Sequence, residues 1–100
     1  MLFAIYCIDK PDTAAAREKH LKEHREYLDK YVDKIFFSGP LQTDDASASI
    51  GSLFVVNVKD KAEAQAYIEN ETFYQNGIFD KVTITRMRKG RFRADLVDAV

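Results

Sequence analysis

An α+β fold is the class the sequence predicts, and three observations predict it. Four short apolar runs rich in β-branched and aromatic residues are bounded by turn-forming residues. Two longer stretches between them carry helical patterning. Their order is β-α-β-β-α-β, the ferredoxin-like arrangement, in which an antiparallel sheet carries both helices on one face.

Leu2 to Ile8 reads as the first strand, and Asp9-Lys10-Pro11-Asp12 stops it. Asp12 or Thr13 is placed to cap a helix over Thr13 to Asp33. The second strand, Ile35 to Ser38, ends at Gly39-Pro40, and the small polar segment Gln42 to Gly51 reads as a loop. Ser52 to Val58 is the third strand. Asp60 then caps a second helix through Ala62, Ala64, Ala66, Tyr67 and Ile68. Asn70 to Gly77 is a turn or short helical piece around Phe73, and Ile78 to Met87 is the fourth strand. The division expected is one domain over residues 1–89 and a C-terminal tail over 90–100.

The chain has 100 residues, 46% hydrophobic and 31% charged, which suits one small folded domain. A net charge of -1 argues against nucleic acid or an anionic membrane as the main partner. One local basic run, Arg86, Arg88, Lys89, Arg91 and Arg93, is followed by Asp95 and Asp98. It reads as a solvated edge that discourages strand pairing; an adaptor role toward protein or nucleic acid is the alternative. The single cysteine, Cys7, forms no internal disulfide, fits a reducing, cytoplasmic setting, and reads as apolar filler in a strand. No segment approaches the roughly 20 apolar residues of a membrane span, and the N-terminus reads as a strand, not a signal peptide. No phosphate-binding glycine loop, nucleophile elbow or zinc-finger spacing is present, so nothing calls for a nucleotide, flavin or other cofactor.

The strands do not alternate apolar with polar. Phe3, Ile5 and Cys7 point to one side of the first, and Leu2, Ala4, Tyr6 and Ile8 to the other. Leu53 and Val55 oppose Phe54, Val56 and Val58 in the third. Two helices cover only one face of such a sheet. The expectation is a homodimer, or a higher oligomer, with sheets packed together; a monomer whose tail folds over the second face is the alternative.

On a wheel of about 100° per residue, Tyr27, His20, Tyr31, His24, Arg17, Leu28, Leu21, Val32 and Arg25 share an arc of roughly 160°. His20 and His24 therefore face inward, one turn apart, beside Tyr27 and Tyr31. Such polar groups need partners when buried. Three readings fit: a metal pair completed by carboxylates, structural hydrogen bonding between helix and sheet, and a general acid/base or binding group in a pocket.

Several segments, in order, carry a resemblance. Met1 to Lys10 resembles the first strand of YciI-like proteins, and Arg17-Glu18-Lys19-His20-Leu21 resembles their arginine-x-x-histidine-leucine motif. Phe37-Ser38-Gly39-Pro40-Leu41 resembles their glycine-proline turn. Ala64 to Tyr67, Glu71-Thr72-Phe73-Tyr74 and Gly77-Ile78-Phe79 resemble the second helix and the turn behind it. The resemblance to the YciI-like, or YCII-related, family implies a dimeric α+β barrel with a site built on a histidine–aspartate pair. It relates the chain to muconolactone-isomerase-like proteins and to an enzyme that removes chloride from a chlorinated hydroxyhydroquinone.

Carried over, His20 matches the family histidine. The family's aspartate falls at Glu71 and its proline at Thr72, both departures. The expected catalytic residues are His20, Glu71 and Ser38. Arg17, His24, Tyr27, Tyr31, Gly39, Pro40 and Phe73 are the expected substrate-binding residues. Glu71 orients His20, whose other nitrogen shuttles a proton on a small cyclic or phenolic substrate without a metal. A non-catalytic module binding a small molecule in the same pocket is the alternative.

Overall fold

The computed structural model describes residues 1–100. Its elements are β1 (Leu2–Asp9), α1 (Ala14–Lys30), β2 (Ile35–Gln42), β3 (Ser49–Asn57), α2 (Lys61–Glu69), α3 (Thr72–Gln75) and β4 (Phe79–Met87), with 3-10 turns at Val32–Lys34 and Ala94–Leu96. The four strands form one antiparallel sheet in the order β2-β3-β1-β4, which is the ferredoxin-like topology.

Pairing fixes which side chains share a face. Ile5 lies opposite Phe54 and Ile84, and Phe54 lies opposite Ser38. Phe3, Ile5, Cys7, Phe54 and Val56 point toward the helices and are buried. Ala64, Tyr67 and Ile68 of α2, Phe73 of α3, and Ile78 and Phe79 close this core. At roughly 1.5–3 kcal/mol for each large apolar side chain withdrawn from water, this cluster dominates the fold's stability.

The two long helices start differently. Asp60 accepts from Glu63 N at 2.8 Å, the cap expected at α2. Thr13 occupies the cap position of α1, but its hydroxyl donates to Lys10 O at 2.9 Å instead of receiving a helix N–H. α1 also ends earlier than the wheel implies. The chain tightens into the 3-10 turn, which winds at about three residues per turn and shifts the phase, so Val32 emerges 63% exposed.

β2 does not stop at Gly39-Pro40 but runs through it to Gln42, with Pro40 opposite Ser52. β2 is an edge strand, so a proline without an N–H leaves no ladder bond unmade on the open side. β3 correspondingly begins at Ser49, inside the segment expected as loop.

No residue of α1 is fully buried, and the helix packs against α3 but only loosely against the sheet. The gap between α1 and the β2–β3 half of the sheet is the space in which the site forms. On the sheet's opposite face Tyr6, Phe37 and Met87 remain 47%, 55% and 40% exposed. The C-terminal segment brings Phe92 against Phe36 at 5.6 Å between ring centroids, yet leaves that face open. The basic residues Arg86, Arg88, Lys89, Arg91 and Arg93 are exposed, and Arg93 pairs with Asp95 at 2.7 Å. No helix is long and apolar enough to cross a membrane.

Candidate active site

The site is built outward from Glu71, whose side chain is fully buried although it sits in a turn. Glu71 is the N-cap of α3: Oε2 accepts from Phe73 N at 2.9 Å and, more weakly, from Tyr74 N at 3.4 Å. This use of one carboxylate oxygen fixes the other. Oε1 meets Nδ1 of His24, on the facing side of α1. A buried carboxylate without a partner would be costly, and the imidazole together with the two backbone N–H groups meets that requirement. The His24 ring is held a third way, flat against Phe73.

Glu71 thus pairs with His24 and not, as expected from the motif, with His20. His20 is half-buried, makes no hydrogen bond, and does not line the cavity. The reason is phase. His24 lies roughly 20° from the centre of the helix's inward arc, and His20 roughly 60°. The wheel held that distinction, but the motif overrode it.

Next to His24, Arg17 forms a buried ion pair with Asp9, Nε to Oδ2 at 2.5 Å and Nη2 to Oδ1 at 3.0 Å. Nη2 also donates to Gly51 O at 2.8 Å and Ser52 Oγ at 3.1 Å. Its carbon sits 4.8 Å from the centroid of the Phe73 ring. Arg17 is therefore a brace between α1, β1 and β3, with only Nη1 left unbonded. Asp9, the residue that anchors it, was not among the expected site residues. By strand alternation it continues the inward row of Phe3, Ile5 and Cys7, which is the signal that would have found it.

These groups border a cavity of about 410 Å³, a size typical of small-molecule sites. α1 contributes Arg17, Leu21, His24, Arg25 and Leu28; the sheet contributes Ser38, Gly39, Pro40, Ser49, Ser52 and Phe54; and Phe73 completes the wall. Ser38 enters by the register that places it opposite Phe54, and its hydroxyl has no partner in the chain. Expected residues Arg17, His24, Ser38, Gly39, Pro40 and Phe73 are thus gathered here.

Tyr27 and Tyr31 are not. They line a separate cavity of about 180 Å³ with Lys34, Glu63 and Tyr67. The inward arc of α1 is wide enough to face two grooves. At its C-terminal end Tyr27 donates to Tyr67 O at 2.7 Å, and burial pushes its phenol up to about 12. Cys7, expected as filler, is fully buried, and burial, with the nearby charges of Glu71 and Asp9, pushes its thiol up to about 12. No three His, Cys, Asp or Glu side chains converge in a way that would hold a metal ion.

The model of the YCII-related domain matches residues 1–88. The chain belongs to the YCII-related family. Among solved structures, this family member is similar to 5-chloro-2-hydroxyhydroquinone dehydrochlorinase from Burkholderia phenoliruptrix AC1100 in complex with 2,5-dihydroxybenzoquinone. The two share 28% sequence identity and a TM-score of 0.83, over 90% of this chain and 96% of that one. No curated protein matches the chain in sequence.

Proposed function

We propose that this YCII-related protein is a small-molecule enzyme in which His24, oriented by Glu71, transfers a proton on a small cyclic or phenolic substrate. The reaction class is isomerisation or elimination, dehydrochlorination included. The observation that carries the reading is the buried Glu71 carboxylate, held by the first turn of α3 and aimed at Nδ1 of an imidazole that borders the cavity. With Nδ1 committed, Nε2 is the nitrogen left for a substrate. Similarity to a dehydrochlorinase supports the substrate class.

In an elimination, Nε2 takes a proton from a C–H or O–H of the substrate. The electron pair of that bond forms the new double bond, and the leaving group departs with its own pair. Glu71 stabilises the positive charge that develops on the ring, and the ring later returns its proton to solvent. Ser38, with its free hydroxyl, donates to a substrate oxygen.

The test is turnover of chlorinated and unchlorinated hydroxyhydroquinones and of small lactones, followed by absorbance and chloride release. Turnover that disappears in His24→Gln supports the reading. Ligands that bind and leave unchanged across the whole set overturn it in favour of a binding module.

We further infer a homodimer through the open sheet face, supported by the clustered exposure of Tyr6, Phe37 and Met87. Sedimentation should give twice the chain mass at micromolar concentration, and Tyr6→Lys should shift it toward one chain. A single-chain mass for the unaltered protein refutes the dimer.

A further inference from the structure

The cavity beside His24 holds one cation that no carboxylate of the chain answers. Arg17 is neutralised by Asp9, and His24 faces Glu71. Arg25 borders the same cavity, one residue beyond His24, and enters no ion pair and no hydrogen bond. The acidic groups of the site, Asp9 and Glu71, are both already engaged, so Arg25 is left without a carboxylate in contact with it. The site's open donors include the Arg25 guanidinium, Nη1 of Arg17 and the Ser38 and Ser49 hydroxyls, around a wall that includes the Phe54 and Phe73 rings.

We propose that this site selects small planar anions, namely phenolates, acidic enols or ring carboxylates, and that Arg25 is the specificity-determining residue that supplies the counter-charge. The proposal rests on the reading of His24 and Glu71 as the proton-transfer pair and names the charge of what that pair acts on. A guanidinium offers a planar fork of N–H donors suited to an oxyanion, and a neutral ring of the same size gains nothing from its charge. His24, with Nε2 its uncommitted ring nitrogen, borders the same cavity, so recognition of the anion and proton transfer share one space.

The experiment is calorimetric titration of the full chain with 2,5-dihydroxybenzoquinone, whose hydroxyls are conjugated to carbonyls and ionise readily, and with neutral hydroquinone. Both rings are the same size. Arg25→Gln and Arg25→Lys are titrated in parallel, and thermal melts verify folding, which this exposed side chain should not affect. The unaltered protein should prefer the anion, and Arg25→Gln should weaken anion binding by about 10–100-fold while leaving hydroquinone unchanged. Arg25→Lys should keep part of the preference, and added salt should erode it. Equal affinity for the two rings, a preference that survives Arg25→Gln, or binding of neither ring would overturn the proposal. Turnover with no anion preference sinks this inference alone; anion preference without turnover on any substrate sinks the enzyme reading and leaves Arg25 as the determinant of a binding site.

Discussion

The His24 imidazole lies on the Phe73 ring with centroids 3.9 Å apart and planes 2° from parallel. Phe73 also donates its backbone N–H to Glu71, and Glu71 in turn meets His24. Three residues therefore close a triangle of one stack and two polar contacts. Two of them, Glu71 and Phe73, lie two positions apart at the start of α3, so a single short turn sets both the partner and the platform of the imidazole. The stack adds about 0.5–1.5 kcal/mol beyond simple burial, and it removes the ring's freedom to tip away from the carboxylate.

That triangle distinguishes the two histidines. His24→Gln should lower kcat/KM by about 10²–10⁴-fold, the contribution of a positioned acid or base. His20→Gln, which breaks no hydrogen bond, should stay within a few-fold of the unaltered protein. Steady-state kinetics on one turned-over substrate decides. The reverse ranking would move the chemistry back to the position the family motif selects.

Glu71 serves the fold and the site through different oxygens, and two substitutions separate them. Glu71→Ala removes the cap of α3 and the partner of His24 together, a loss of about 1–3 kcal/mol that should lower Tm by roughly 4–24 °C. Glu71→Gln keeps an oxygen for the Phe73 N–H, so the melt should move little. Its amide would donate to Nδ1 and leave the ring hydrogen on Nε2, the wrong tautomer for a base. Activity should then fall by about 10²–10⁴-fold, as when the orienting carboxylate of a catalytic triad is made an amide. A Gln variant that is fully active would show that Glu71 is a cap and nothing more.

Most of the fold was legible because its signals are local. Asp60 before an alanine-rich stretch made a cap, and runs such as Phe54-Val55-Val56 made strands. What escaped was set by position in the assembled sheet. Pro40 looks like a strand stop until β2 proves to be an edge, where its missing N–H costs nothing. The site divided in the same way. Glu71 and Ser38 follow from their motifs, whereas the choice of His24 over His20 lies in the phase of α1, which the motif outweighed. The separation of Tyr27 and Tyr31 from His24 needed the second groove against α2, which no spacing within α1 announces.

At Gly51 the backbone of β1 leaves no room for a side chain on β3. A Cβ there would lie 2.3 Å from the carbonyl oxygen of Cys7, a backbone atom with no room to move, and 3.1 Å from a methyl of Leu41. The Gly51 carbonyl also accepts from Arg17. Gly51→Ala should therefore destabilise by at least the roughly 1–3 kcal/mol of an overpacked core and disturb the Arg17 brace. Gly39→Ala is the control, since nothing lies within 4 Å of its added Cβ. Thermal melts of the two should differ by roughly 4–24 °C, and equal melts would mean that the sheet adjusts freely at Gly51.

Cys7 should make the protein sensitive to alkali. Burial, with the neighbouring Glu71 and Asp9 charges, raises its thiol from 9.0 to about 12, against a smaller opposing pull from Arg17. The folded state thus holds this proton more tightly than the unfolded chain. The resulting stability is complete below pH 9 and is lost as pH climbs from there through about 12. Tyr27 acts in the same sense over a window beginning near pH 10, with burial again the main cause. Urea midpoints should be flat from pH 7 to 8.5 and fall steadily above pH 9, and the fall should be shallower in Cys7→Ala once its lower baseline is subtracted. In the native protein at pH 8, the thiol should react with a disulfide reagent only as fast as the chain opens, because a buried, protonated sulfur is a poor nucleophile. Labelling at the rate of a free thiol would mean that β1 is accessible to solvent, and the inward row from Phe3 to Asp9 that anchors Arg17 would have to be redrawn.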